Sequence, residues 1–423
     1  MTASIRELDQ RHLWHPYTQH HGAPPPRIIT RAQGAYLYDD SGQRIFDAIS
    51  SWWVTLHGHA HPVIAAAVAR QLEILEQVIF AGFTHEPAAR LAAALVSVLP
   101  PGLTRVFFSD DGSTAVEVAL KMALQFWAAR GERRPLVAAL EHAYHGDTFG
   151  AMAASGRGVF TAPFEGHLFE VARLPDPSAD GPATVAALDR LIDTRGANLA
   201  AVIVEPLLMG AGGMRVWDSE VLRTIRERTA AAGVLLIADE VLTGFGRTGP
   251  RFACERAGVV PDIICLSKGL TGGFLPLGAT VTREEIFAGF SSPDRRRTFF
   301  HGHSYTANPL ACAAALASVA LLDTTSARAR QAIERAHETH LARLAGHARV
   351  RNPRVLGTVA AFDVDGDEGY LSSIGPELTA YALKEGVLLR PLGNVVYLLP
   401  PYCATADDLG HAYHVIERFL EAA

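Results

Sequence analysis

Cysteine is scarce in this chain. Its four residues, Cys254, Cys265, Cys312 and Cys403, stand far apart with no close-spaced pair, which argues against a disulfide framework and against a zinc ribbon. Long apolar runs are missing too. The longest apolar helix to be expected, Ala311 to Leu322, is too short to span a bilayer. The opening residues Met1-Thr2-Ala3-Ser4-Ile5-Arg6-Glu7 carry no apolar signal region. Positive charge is not in excess: the formal net charge is −6, and the cluster Arg295-Arg296-Arg297 is local. Nothing electrostatic therefore points to nucleic acid. There is no internal repeat and no low-complexity tract. The expectation is a cytoplasmic protein in a reducing setting, with no membrane span and no nucleic-acid partner.

What is present is a folded chain of enzyme size. It has 423 residues, 49% hydrophobic and 19% charged, enough for two or three domains around a large core. Short, continuously apolar runs alternate with helical patterns, as in an α/β protein with a mostly parallel sheet. Val234-Leu235-Leu236-Ile237-Ala238 ends in Asp239-Glu240, and Ile263-Ile264-Cys265-Leu266 ends in Ser267-Lys268-Gly269. Ligands in such sheets bind beyond the carboxyl ends of the strands, so Asp239 and Lys268 are expected to share a crevice. A lysine held between a buried strand and a flexible turn can serve as a nucleophilic amine. Lysine and acid together suit pyridoxal phosphate (PLP), the lysine joining the aldehyde and the acid protonating the pyridine nitrogen. The plainer reading has Asp239 capping a helix or pairing with Arg247.

Other stretches fall around these two. Arg105–Ser109 reads as a strand, Asp110-Asp111-Gly112-Ser113-Thr114 as a turn, and 115–124 as a helix. That order offers free backbone N–H groups to a phosphate, or is a plain turn capped by Ser113. Tyr144, just past the strand Leu136–Leu140, can stack on a flat ring. Ala35 to Asp47 reads as a β-hairpin turning at Asp40-Ser41-Gly42. Ser50-Ser51-Trp52-Trp53 is either a packed loop or an aromatic wall for a bulky substrate. Residues 63–80 and 86–99 have helical periodicity, and 172–184 reads as a surface connection. His57, His59 and His61 alternate, but Gly58, Ala60 and Pro62 place them in a loop entering a helix. From about residue 325 a charged helix and short strands suggest a separate α+β unit. There Arg390 ends an apolar run and can clamp a carboxylate or form a structural ion pair.

Taken in order, these pieces resemble the class III (subgroup II) PLP-dependent aminotransferases from about residue 11 to 403. The most specific are Leu13-Trp14-His15-Pro16-Tyr17-Thr18, Ser50-Ser51-Trp52-Trp53, Tyr144-His145-Gly146-Asp147-Thr148-Phe149-Gly150 and Gly210-Ala211-Gly212-Gly213-Met214-Arg215. Ala238-Asp239-Glu240, Gly244-Phe245-Gly246-Arg247-Thr248-Gly249, and Arg390-Pro391 with Tyr397-Leu398-Leu399-Pro400-Pro401-Tyr402 complete the set. The resemblance implies the fold type I of PLP-dependent transferases: an N-terminal segment (1–60) joining the small domain, a large mostly parallel α/β domain (61–324) and a small α+β domain (325–423). It implies PLP bound to Lys268, Asp239 at the pyridine nitrogen, Tyr144 on the ring, and Gly112 and Ser113 at the phosphate. It implies a homodimer in which Gly302, His303 and Ser304 reach the neighbouring subunit's phosphate. Tyr17, Trp52 and Arg390 match substrate-contacting positions, and Asp147 and Arg247 lie nearby.

Within that family the motifs look most like the biotin-synthesis branch. The implied reaction takes 8-amino-7-oxononanoate to 7,8-diaminononanoate with S-adenosylmethionine as amino donor. One stretch departs from that branch. Many members read Gly-Pro-Thr-Phe where this chain has Gly302-His303-Ser304-Tyr305, and related enzymes with a Gly-His-Ser-Tyr loop include some that use lysine. The Trp52-Trp53 pair favours the sulfonium donor, which suits an aromatic wall. Three other readings compete: a general ω-aminotransferase, a non-catalytic PLP-fold binding protein, and a metal hydrolase built on the three alternating histidines.

Overall fold

The computed structural model describes residues 4–324, 326–366 and 369–422. The domain boundary expected at Thr325 and the start of the opening segment, Met1 to Ala3, lie outside the described residues.

A seven-stranded sheet forms the centre. Its spatial order is Leu103–Ser109, Gly278–Arg283, Ile263–Leu266, Leu235–Asp239, Leu199–Val204, Leu136–Leu140 and Val171–Leu174. Gly278–Arg283 alone runs antiparallel to its neighbours; the other pairings are parallel. The apolar runs that predict buried strands are buried on both faces: every residue of Leu136–Leu140, Leu199–Val204 and Ile263–Leu266 is shielded from solvent. Successive side chains alternate between two cores. Val137, Ala139, Ile203 and Ile237 pack with Val116, Ala119 and Phe126 of the Gly112–Ala129 helix. Leu136, Ala138, Leu140, Val202 and Leu236 pack with Leu188, Leu222 and Ile225 on the other side.

A four-stranded sheet joins the two ends of the chain. The hairpin Tyr36–Asp39 with Arg44–Asp47 forms as the sequence predicts, and Arg44–Asp47 pairs in parallel with Val387–Leu388. A three-stranded sheet of Val350–Leu356, Val359–Val364 and Val395–Leu398 lies in the C-terminal part. No single helix among the described residues is long and apolar enough to cross a membrane.

Three local expectations need correction. The helix expected over 63–80 covers Pro62–Leu72; the apolar Ile74 and Ile79 that extend its pattern are exposed in irregular chain. The stretch 172–184 is not a mere connection: Val171–Leu174 is the edge strand of the central sheet, and Gly181–Arg195 begins a helix with Pro182 in its first turn. The turn before residue 115 is capped by Asp111 rather than Ser113. Asp111 Oδ1 accepts from Thr114 N at 2.8 Å while Asp111 N donates to Thr114 Oγ1 at 3.1 Å, and Gly112 begins the helix.

Candidate active site

The carboxyl ends of the parallel strands open into a cavity of about 390 Å³ lined by Asp239, Glu205, Lys268, Tyr144, His145, Gly112 and Ser113, among others. Lys268 sits two residues past its strand, where a short 3₁₀ turn begins. Its φ of 43° is a left-handed value that L residues adopt at a cost. Among the described residues nothing hydrogen-bonds its amine, which lies 4.7 Å from the centroid of the Trp53 ring. Burial pushes the Lys268 amine down to about 8; Asp239 and Glu205 oppose that shift and Arg247 adds to it. A neutral, unpaired amine is the nucleophilic form.

This depression has a measurable consequence. In cofactor-free protein, labelling of Lys268 by an amine-directed reagent is expected to rise through about pH 8 and then level, because the neutral form predominates above that pH. Lys121 and Lys384 are the chain's only other lysines, so peptide mass spectrometry separates the three sites. A rise at Lys268 centred near its ordinary value of 10.5 would contradict the burial argument.

Asp239 ends its strand with both oxygens engaged. Its Oδ1 accepts from Val241 N at 3.1 Å. Its Oδ2 lies 2.7 Å from His145 Nδ1, and both side chains are buried. The expected alternative partner, Arg247, goes elsewhere: its Nη1 donates to the Pro400 carbonyl at 2.7 Å, and Nη2 to that of Trp53 at 3.4 Å. Glu205 follows the next strand and accepts from Tyr144 N and Gly210 N, each at 2.9 Å. Burial pushes this carboxyl up to about 7. Its two backbone bonds fix where Tyr144 enters the cavity.

The floor is built for close approach. A Cβ on Gly146 would meet Ser113 Oγ at 2.1 Å, and one on Gly112 would meet Val241 Cγ1 at 2.7 Å. Ser113 Oγ accepts from Asp147 N at 3.2 Å. The Gly112–Ala129 helix thus starts at the cavity floor, where its first backbone N–H groups can meet an anion.

At the mouth, Tyr17 donates to Asp147 and lies 3.4 Å, oxygen to oxygen, from Tyr144. Its ring meets Trp52 at 5.5 Å and Phe160 at 5.7 Å. The Arg390 guanidinium lies 4.8 Å over the Trp52 ring. Among the described residues no carboxylate pairs with it, so the structural ion pair considered for Arg390 is not what it forms. A second space of about 940 Å³, sharing Tyr144 and Gly146 with the first, continues past Asp147 and Phe160 to Tyr370.

Gly302, His303 and Ser304 do not join this cluster. Gly302 and Ser304 are exposed on a loop whose Ser304 carbonyl accepts from Gln77. His303 Nε2 lies 3.9 Å from Asp110. The three alternating histidines diverge: His57 meets Ser318, His59 meets Asp47, and the His61 ring stands edge-on to His57. Among the described residues no group of three or more His, Cys, Asp or Glu could hold a metal ion. His145 is a site residue to which sequence pattern alone assigns no role. Its only signal is its place beside Tyr144.

PLP fits this donor set. An amine drawn down to about 8, with no hydrogen-bond partner among the described residues, shares the cavity with a buried carboxylate, and the floor is a helix start with glycine at its first position, the chemistry that an aldehyde, a ring nitrogen and a phosphate require. Fold and site together define a PLP-dependent transaminase. The chain belongs to the class-III aminotransferase family, which it matches over residues 17–420, and PLP is that family's cofactor.

The chain is 53% identical to an adenosylmethionine-8-amino-7-oxononanoate aminotransferase of Synechococcus elongatus, across 97% of this chain and 98% of the relative. It is 42% identical to an enzyme of the same description from Nitratidesulfovibrio vulgaris, across 100% and 82%. Among solved structures, the enzyme of that description from Methanocaldococcus jannaschii superposes with a TM-score of 0.93 at 33% identity, covering 98% of each chain. A PLP-bound amine transaminase from an uncultivated Pseudomonas species gives 0.89 at 32%, covering 97% and 98%.

Proposed function

We propose that this enzyme transfers an amino group from S-adenosylmethionine to 8-amino-7-oxononanoate, giving 7,8-diaminononanoate in biotin synthesis. The observation that carries the acceptor is Arg390: a guanidinium with no acid partner among the described residues, stacked on Trp52 at the site mouth. It suits the carboxylate of a fatty-acid-like substrate. The relatives' described activity supports the same reading.

PLP, when bound, supplies an electrophilic aldehyde carbon and a ring that takes up the electrons of a broken C–H bond. Lys268 would hold that carbon, and its Nζ, once released by a substrate amine, would be the group that moves the proton of the donor's α-carbon. Asp239, backed by His145, would face the pyridine nitrogen and favour its protonated form. The Tyr144 ring would lie against the cofactor, and the N–H groups at Gly112 and Ser113 would hold its phosphate. Across the full cycle the donor leaves as its keto product, its new oxygen coming from water and the acceptor's ketone oxygen leaving as water, and the amino group ends on the acceptor's former ketone carbon. Tyr17 and Trp52 confine both substrates.

The reading includes a homodimer in which Gly302, His303 and Ser304 of one copy complete the phosphate site of the other. The exposed apolar side chains around that loop, Ile79, Phe83, Phe300 and Tyr305, support it. It divides the chain into residues 1–60 and 325–423 around the smaller sheets and 61–324 around the cofactor. The pairing of Arg44–Asp47 with Val387–Leu388 supports that division. A cytoplasmic setting belongs to the same reading, in keeping with four unpaired cysteines.

Arg390→Ala is expected to raise KM for 8-amino-7-oxononanoate about 10- to 100-fold with little change in kcat, as when one charged hydrogen bond is removed from ground and transition states alike. Steady-state kinetics at saturating donor reads this. The donor is tested by mixing holoenzyme with S-adenosylmethionine or with lysine, without acceptor, and following its visible absorbance. Loss of the absorbance with S-adenosylmethionine alone is the expected result. Loss with lysine alone would reassign the donor, as the Gly302-His303-Ser304-Tyr305 loop would favour. Loss with neither would overturn the reading.

A further inference from the structure

The aromatic wall stands on an improbable piece of backbone. Ser50, Ser51 and Trp53 have φ of 53°, 58° and 68°, left-handed values for three residues none of which is glycine. Such conformations persist only where neighbouring groups hold them, and they cluster at functional sites. The holder is Asp47, fully buried at the end of its strand. Its Oδ2 accepts from Ser51 N at 2.6 Å, and its Oδ1 from Ile49 N at 3.3 Å. His59 Nε2 lies 2.8 Å from the same Oδ2. The His59 backbone is itself locked to Gly34 by two hydrogen bonds, at 2.7 and 3.1 Å. A second tether, Ser50 Oγ to the Leu399 carbonyl at 2.7 Å, fastens the same turn from the other side.

We propose that Asp47 and His59 form a positioning pair that sets the Trp52-Trp53 wall and thereby the fit of substrate at the site mouth. The turn points its two tryptophans at different partners. Trp52 carries the Arg390 guanidinium and meets Tyr17. Trp53 donates to Tyr397 Oη at 2.9 Å and presents its ring to the Lys268 amine. Neither Asp47 nor His59 lines the cavity; they act through the backbone they hold. His59 fixes the carboxylate, the carboxylate fixes Ser51 N, and the turn then has one orientation rather than several.

The pair rests on the reading that Trp52 and Arg390 meet substrate, and the test separates the two. His59→Leu removes the donor to Asp47; His59→Gln keeps a side-chain N–H. Removing the pair is expected to raise KM for 8-amino-7-oxononanoate about tenfold, the equivalent of about 1.4 kcal/mol. The expected change in kcat is less than about threefold, as for weakened ground-state binding. His59→Gln restores KM to near the wild-type value. Tryptophan emission of cofactor-free H59L moves to longer wavelength as Trp52 and Trp53 loosen. A lower melting temperature with KM and emission unchanged would make the pair merely structural and overturn the proposal. If H59L does not fold, Ser50→Ala cuts the second tether and carries an expected KM rise of about threefold; no rise there overturns it as well. If wild-type enzyme does not turn over 8-amino-7-oxononanoate, the assigned reaction fails. The pair is then judged by the same KM and emission changes on whichever amino acceptor the wild type uses.

Discussion

Lys268→Ala is expected to lower kcat by at least about 10⁴-fold, because one amine is asked both to hold the cofactor and to move the proton. The substitution should not harm the fold. No group among the described residues hydrogen-bonds the amine, and its burial already disfavours the charged form, so its removal leaves no polar partner stranded. Without cofactor the variant should melt close to wild type, and it should still take up PLP through the remaining contacts. Borohydride treatment followed by mass spectrometry should then show cofactor fixed to wild-type protein and none to the variant. A variant with substantial turnover would show that Lys268 is not the amine that holds the cofactor and moves the proton.

Asp239→Ala should cost about 10³-fold in kcat, the scale of losing a preorganised charge at the reacting group. Two interactions disappear at once: the anion for the pyridine nitrogen, and the partner of buried His145 Nδ1. Asp239→Asn separates them, since the amide can still hydrogen-bond His145 but carries no charge. The loss should therefore be nearly as large in the asparagine variant. His145→Phe, which keeps the carboxylate, should lose far less, about tenfold. Equal losses in all three variants, read as single-turnover rates, would shift the weight from charge to hydrogen bonding.

The parts of this site that could be read from the chain are those that local pattern encodes. An apolar run ending in Asp239 and another ending in Lys268 are strand ends, and strand ends of a parallel sheet face one crevice. The start of the Gly112–Ala129 helix was legible for the same reason. His145 was not: only the adjacency of the Leu136–Leu140 and Leu235–Asp239 strands to Leu199–Val204 brings it to Asp239, and strand order is a tertiary fact. The Trp52-Trp53 turn was legible as aromatic but not as left-handed, because Ser and Trp carry no such preference and the conformation is imposed by Asp47. Residues 73–80 show the reverse failure. Their apolar pattern continues the preceding helix, yet they leave it with Ile74 and Ile79 exposed.

The most direct test of the central claim is a single half-reaction. Holoenzyme would first be converted fully by its donor, freed of excess donor, and mixed with 8-amino-7-oxononanoate alone. One equivalent of 7,8-diaminononanoate per active site is the expected result by mass spectrometry, together with return of the visible absorbance. Return of absorbance with simple ketones but not with 8-amino-7-oxononanoate would contradict it, and would leave a transaminase of a different acceptor.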